Sequence, residues 1–196
     1  MVPHDSEKYK ETHYFKCFDE TTRYPNLEEA KDDLVSIFEQ IQKTDLVDTI
    51  NNYYEEYKSI DQIKCVTMIW TSDKYIQDLI NCAIIVDAVT TYDYDREKFK
   101  FYFDRLGELS EPELDYASII SKSIKFIRLL NSSIVDKGTS LNDSDRRTYR
   151  AINRCILQDI EVDQTLRVIN WMWTSEDLEI THLMNEKYGY GRIIVE

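Results

Sequence analysis

Residues 110–138 read SEPELDYASIISKSIKFIRLLNSSIVDKG, and the fold turns on how this stretch is read. Ile120, Ile124, Ile127 and Ile134 recur at helical intervals, which places them on one face. Ser110-Glu111-Pro112-Glu113 combines a capping box with a proline suited to a first helical turn, and Gly138 with Thr139, Ser140 and Asn142 supplies a stop. The stretch predicts a helix from about Leu114 to Ile134.

Upstream, the same period repeats. Asn26 and Glu29 have capping-box spacing, and Leu27, Ala30, Leu34, Ile37, Phe38 and Ile41 share one helical face. Thr44 is placed to cap a second helix carrying Leu46, Val47, Ile50, Tyr53, Tyr54 and Tyr57. Ser72 is placed to cap a third, with Tyr75, Ile76, Leu79, Ile80 and the run Ala83-Ile84-Ile85-Val86. Asp93 to Leu106 sets Phe99, Tyr102, Phe103 and Leu106 on one side. Residues 1–24 are polar and read as a loosely attached arm, with order beginning near Tyr24-Pro25.

Downstream of Gly138 the pattern changes. Thr148–Ile152, Leu166–Trp173 and Arg192–Val195 are short and rich in β-branched and aromatic residues, the signature of strands. The expectation is an α+β fold: a flexible arm over 1–24, then a single helix-rich domain over 25–196 whose small mixed C-terminal part carries short strands. An all-α bundle is the alternative, and Thr148–Ile152 and Leu166–Trp173 discriminate the two.

Composition limits the function. The chain has 196 residues, 37 Asp plus Glu against 24 Lys plus Arg, and a net charge of −13. That balance opposes conventional nucleic-acid binding unless the protein imitates the polyanion. At 42% hydrophobic and 12% aromatic the chain is too apolar for an acidic disordered segment. No run of eighteen apolar residues occurs, and Met1–Glu7 lacks the charge and apolar core of a signal peptide, so a soluble, intracellular and cytoplasmic location is expected. Cys17, Cys65, Cys82 and Cys155 are scattered without a C-x-x-C pair, the usage of reduced thiols. In such a compartment the sequons at Asn131 and Asn142 go unmodified.

Several constellations invite chemistry. His4, His13 and Cys17 form the one His/Cys cluster, with Asp19 or Glu20 as a further ligand, but the spacing fits no standard zinc pattern; exposed histidines on a frayed tail are the plainer reading, and no metal is assigned. His182 is the remaining histidine and has no local nucleophile signature. The pairs Asp32-Asp33 and Glu55-Glu56, and Glu176-Asp177 with Glu179, read as solvated helix faces in so acidic a chain. Tyr53, Tyr54 and Tyr57 read as core rather than as a stacking platform. Ile60-Asp61-Gln62 before Trp70-Thr71-Ser72-Asp73 is echoed by Val162-Asp163-Gln164 before Trp173-Thr174-Ser175-Glu176. The flanking residues share no constant offset, which excludes a tandem array.

One ordered series remains: Asn26-Leu27-Glu28-Glu29-Ala30, Val66 to Ser72, Tyr75 to Asn81, the long apolar helix, Thr148-Tyr149-Arg150, Trp171 to Ser175, and Gly191 to Val195. The series resembles the arginine-type mono-ADP-ribosyltransferases from about Asn26 onward. In that family a Tyr-Arg pair lies on one strand, Ser-Thr-Ser on a second, and a glycine precedes a third. The resemblance implies an NAD-binding domain in which Arg150 grips the pyrophosphate through paired charge-assisted hydrogen bonds, while Thr174 and Ser175 orient the nicotinamide ribose. The family's catalytic acid belongs to a later Glu-x-Glu, whose carboxylate stabilises the oxocarbenium-like centre. The final segment here contains no Glu-x-Glu, Trp173 replaces the first serine, and Ala151 stands where glycine is usual. The resemblance thus implies an NAD-binding domain whose catalytic acid is missing or supplied elsewhere, and no catalytic residue is assigned. A second reading is a non-enzymatic acidic helical protein that inhibits or sequesters a basic partner, as an inhibitor, an immunity protein or a viral host-interaction module does. Its charge speeds encounter and its 14 tyrosines suit interface hot spots. Salt separates the two, weakening charge-steered association more than binding in an enclosed NAD pocket.

Overall fold

A computed structural model describes residues 2–3, 6–137, 148–153, 166–167 and 190–195, with side chains over 7–135. Residues 7–135 are helical throughout their regular structure. The helices are α1 (Ser6–Tyr9), α2 (His13–Glu20), α3 (Leu27–Gln40), α4 (Thr44–Tyr57), α5 (Gln62–Ser72), α6 (Lys74–Thr91), α7 (Lys100–Leu109) and α8 (Tyr116–Lys137), with a 3₁₀ turn, η1, at Arg96–Phe99.

Two compact units divide the chain. One, Asp5–Tyr94 with Lys100–Gly138, holds the eight α-helices of the described residues. The other takes in Met1–His4, Asp95–Phe99 and Thr139–Glu196. In this second unit β2 (Thr148–Asn153) pairs antiparallel with β4 (Tyr190–Val195), Arg150 opposite Ile193, and β1 (Val2–Pro3) pairs with β3 (Leu166–Arg167). The β2 and β4 ranges fall where the sequence predicts strands at Thr148–Ile152 and Arg192–Val195. Of Leu166–Trp173 the described part is β3, and the remainder lies outside the described residues.

In the helical unit α8 is the central element, packing on α3, α6, α2 and α5. Its buried positions Ile119, Ile120, Ser123, Ile124, Phe126, Ile127, Leu129 and Leu130 cover a wide arc rather than a single stripe, which is why it can serve several neighbours. The helix emerges at its last turn, where Ile134 is 46% exposed, so the predicted apolar face stops one turn short of that residue. Opposite it, α6 buries an almost unbroken run from Leu79 to Val89, and α3 buries Leu27, Ala30, Leu34, Ile37 and Phe38 as its period predicts.

The helix starts refine the sequence reading. The Asn26 carboxamide oxygen accepts from the N–H groups of Glu28 and Glu29 at 2.8 and 3.1 Å, whereas the Glu29 carboxylate accepts from Lys125 of α8 at 2.9 Å. Only half of the expected capping box forms, because a cross-helix cation is the stronger partner. Thr44 and Ser72 are not caps: Thr44 lies inside α4 and Ser72 ends α5. Asp73 caps α6, accepting from Tyr75 N–H at 2.7 Å, and Asp115, accepting from Ser118 N–H at 2.8 Å, opens α8 in place of Ser110. Ser110 instead closes α7, its hydroxyl donating to the Leu106 carbonyl. A carboxylate at these sites satisfies free N–H groups and also meets the positive end of the helix dipole. The helix α5, capped by Asp61, was not predicted; its buried Cys65, Val66, Ile69 and Trp70 have helical spacing, but β-branched neighbours obscure it.

Two helices end without glycine. Gln42 and Asp93 take φ of 58° and 56°, the left-handed region, just beyond α3 and α6. Lys43 N–H donates to Phe38 O at 2.8 Å and Tyr94 N–H to Val89 O at 3.0 Å, the long bond of a Schellman turn. With four glycines in the chain, ordinary side chains hold these strained positions.

Candidate functional site

Order extends into the polar N-terminal stretch read as an arm. Helices α1 and α2 occupy it, and α2 packs on α6 and α8. The fastening is polar: Asp87 of α6 is 2% exposed, and its two carboxylate oxygens accept from the N–H groups of His13 (3.1 Å) and Tyr14 (2.8 Å). Thr12 caps the same helix end through Phe15 N–H at 3.1 Å. Burial raises the Asp87 carboxyl above its ordinary range, while its bonds to Tyr14 and His13 N–H, the nearby His13 ring and Lys16 pull the other way. The Arg128 guanidinium of α8 lies 4.1 Å from the Phe18 ring centroid, a cation–π contact.

This docking gathers a small reactive group. The His13 ring Nε2 is 2.7 Å from the Ser121 hydroxyl of α8 and 3.4 Å from Cys17 Sγ, and Cys17 Sγ is 3.8 Å from the same hydroxyl. His13 and Cys17, singled out by sequence, are thus brought together; His4 lies outside the described residues. Ser121 carried no sequence signal, since only tertiary packing sets it beside His13. Burial raises the Cys17 thiol, with Glu20 and Asp87 adding to the shift and the Ser121 hydrogen bond opposing it. Cys17 is therefore a thiol at neutral pH rather than an activated nucleophile. Cys65 and Cys82 are buried deeper, with thiols pushed up to about 11 and about 12. Among the described residues no three His, Cys, Asp or Glu side chains gather at one point.

A second surface is built by α3, α4 and the start of α5. Tyr53, Tyr54 and Tyr57 are half-buried, not core, because only Leu46 and Ile50 of α4 reach the interior. Tyr53 and Tyr57 stack with centroids 6.5 Å apart. Lys31 and Lys58 lie 5.1 and 5.2 Å from the Tyr54 ring, and Lys64 lies 4.5 Å from that of Tyr57. Carboxylates hold these cations: Lys31 pairs with Asp32, and Lys58 with Glu55 at 2.7 Å, which raises the Lys58 ammonium above its ordinary value. Glu56 bonds to the Tyr57 hydroxyl and raises it likewise. Asp33 is committed to Lys125 at 3.1 Å. Asp32, Asp33 and Glu55 are therefore ion-paired on the helix surface the sequence predicts for them, and Glu56 meets the Tyr57 hydroxyl.

Arg150 lies on β2; Thr174 and Ser175 lie outside the described residues, as do His182, Trp171, Trp173 and the Glu176 cluster. Among the described residues no helix is long and apolar enough to cross a membrane. Comparison with protein-family models, curated proteins and solved structures gives no match to this chain.

Proposed function

We propose that the chain is a non-enzymatic acidic helical protein that binds a partner with a basic surface, docking it on the α3–α4 face and thereby inhibiting or sequestering it. The observation that carries this reading is the half-exposed Tyr53–Tyr54–Tyr57 stripe, with Glu56 on the Tyr57 hydroxyl and Asp32, Glu55 and Glu28 beside the lysines that cover the Tyr54 ring. Tyrosine supplies large contact area at low entropic cost, and a carboxylate rim steers cationic partners. The chain's own lysines already occupy the ring faces, so a partner guanidinium, which stacks better and is less strongly hydrated, can replace them. The free, buried Cys65 and Cys82 support a reducing, intracellular setting.

The test is a fluorescently labelled nona-arginine peptide titrated with the protein and with Tyr54→Ala/Tyr57→Ala, which leaves the charge unchanged. Each lost ring is expected to weaken binding about fivefold, a cation–π contribution of about 1 kcal/mol, and added salt weakens it further. Equal affinity for both proteins would remove the stripe from the docking surface.

A second reading follows the family resemblance and takes the whole chain as α+β. It is supported by the placement of Tyr149-Arg150 on β2, as the resemblance implies, although Gly191 falls inside β4 rather than before it. On this reading Arg150, Thr174 and Ser175 bind NAD in a transferase-like domain. Calorimetry with NAD, repeated on Arg150→Ala and Ser175→Ala, checks it; no heat from the folded protein rejects it.

A further inference from the structure

We propose that His13 and Cys17 of α2, with the Ser121 hydroxyl of α8, form a binding site for a soft divalent transition-metal cation of the zinc type. This goes beyond partner docking and does not depend on it. His13 and Cys17 stand one helical turn apart, the spacing that brings two side chains to one face. Their Nε2 and Sγ atoms are 3.4 Å apart. A nitrogen at about 2.0 Å and a sulfur at about 2.3 Å from a tetrahedral zinc stand about 3.5 Å from each other. The pair thus needs little rearrangement to share an ion.

Ser121 Oγ, hydrogen-bonded to Nε2 at 2.7 Å and 3.8 Å from Sγ, stands too close to Nε2 to be a further ligand; it gives up that bond when Nε2 takes the ion and then anchors a metal-bound water. Ser121 is exposed, so the fourth position opens to solvent. The surroundings favour a cation: the Glu20 and Asp87 carboxylates lie near Cys17 and that of Asp115 near His13, with Lys16 near Asp87 as an opposing charge. Asp87 fixes the backbone of His13 through its N–H, which preorganises the ligand. Binding breaks the Cys17 S–H bond and forms a sulfur–metal bond; the proton leaves to the buffer, and no oxidation state changes. Two strong ligands make an exchanging site rather than one that holds the fold together.

The experiment adds Co²⁺ to the reduced full chain and reads the thiolate-to-cobalt charge-transfer absorption, together with proton release in weak buffer. The wild type is expected to develop the band with about one proton released per metal. Cys17→Ser is expected to abolish it, and His13→Ala to weaken it more than about tenfold, since loss of a mere supporting partner already costs that much. His13→Gln, which can keep a hydrogen bond to Ser121, replaces His13→Ala if circular dichroism shows that variant unfolded. Absence of the band, its survival in Cys17→Ser, or unchanged affinity in the folded His13 variant would each overturn the proposal.

Discussion

Helices α8 and α2 lie against each other yet are held by opposite means. α8 is fixed by apolar side chains on several sides, with Ile119, Phe126 and Ile127 fully buried, whereas α2 contributes no buried residue of its own. Its N-terminal end is fastened by one carboxylate from α6 that binds two of its N–H groups, and its half-exposed side chains meet Arg128 and Ser121 of α8. An interior helix secured by area is insensitive to any single polar group, and a surface helix secured by a latch depends on one.

Cutting into the α8 side gives the largest effect. Phe126→Ala is expected to cost about 3–5 kcal/mol, the usual range for a buried aromatic truncated in a core, and to lower the whole denaturant midpoint. Asp87→Ala breaks the comparison from the other side. It leaves the His13 and Tyr14 N–H groups without their acceptor, at about 1–3 kcal/mol, and its signature is local: amide exchange quickens over 13–20 and stays slow over 119–130. Equal acceleration in both segments would show that α2 and α8 open as one unit.

A smaller effect of opposite sign comes from the helix ends. Gln42→Gly and Asp93→Gly each relieve a left-handed residue and are expected to raise stability by about 1 kcal/mol, measured by urea denaturation. The acids give the smallest effect and the sharpest contrast. Asp115 is held below its ordinary value by Ser118, so its contribution is present above the usual carboxylate range and fades as pH falls through it. Asp87 is raised, so its protonated form favours the fold, and its contribution is lost as pH rises through that raised value. Asp115→Asn is therefore expected to flatten the acid-side loss of stability and Asp87→Asn to leave that loss steeper, as read from denaturant midpoints across the acid range.

The same contrast explains what could be read from sequence. The core faces of α3, α6 and α8 were legible because burial selects apolar residues at a fixed period. The position of α2 was not, because its determinant, Asp87, sits in the middle of an apolar helix some seventy residues away and looks like an interruption there. Cap assignment erred at Thr44, Ser72 and Ser110, where a neighbouring position or an aspartate won by geometry and charge. The tyrosine stripe was misread because its spacing is helical but its lysine and carboxylate company, drawn from three helices, is visible only in space. Of the candidate cluster, sequence offered His13 and Cys17 and could not offer Ser121.

The short joint between α2 and α3, residues 21–26, has a further consequence. It makes α2 a tethered ligand of the surface it covers. When the Asp87 bonds open, the helix stays at an effective concentration on the order of millimolar, so rebinding is a unimolecular event. A separate helix competing for that place must exceed this local concentration relative to its own affinity. Cleavage within 21–26 would remove that local concentration and leave α2 held by its own contacts and those of the chain before it.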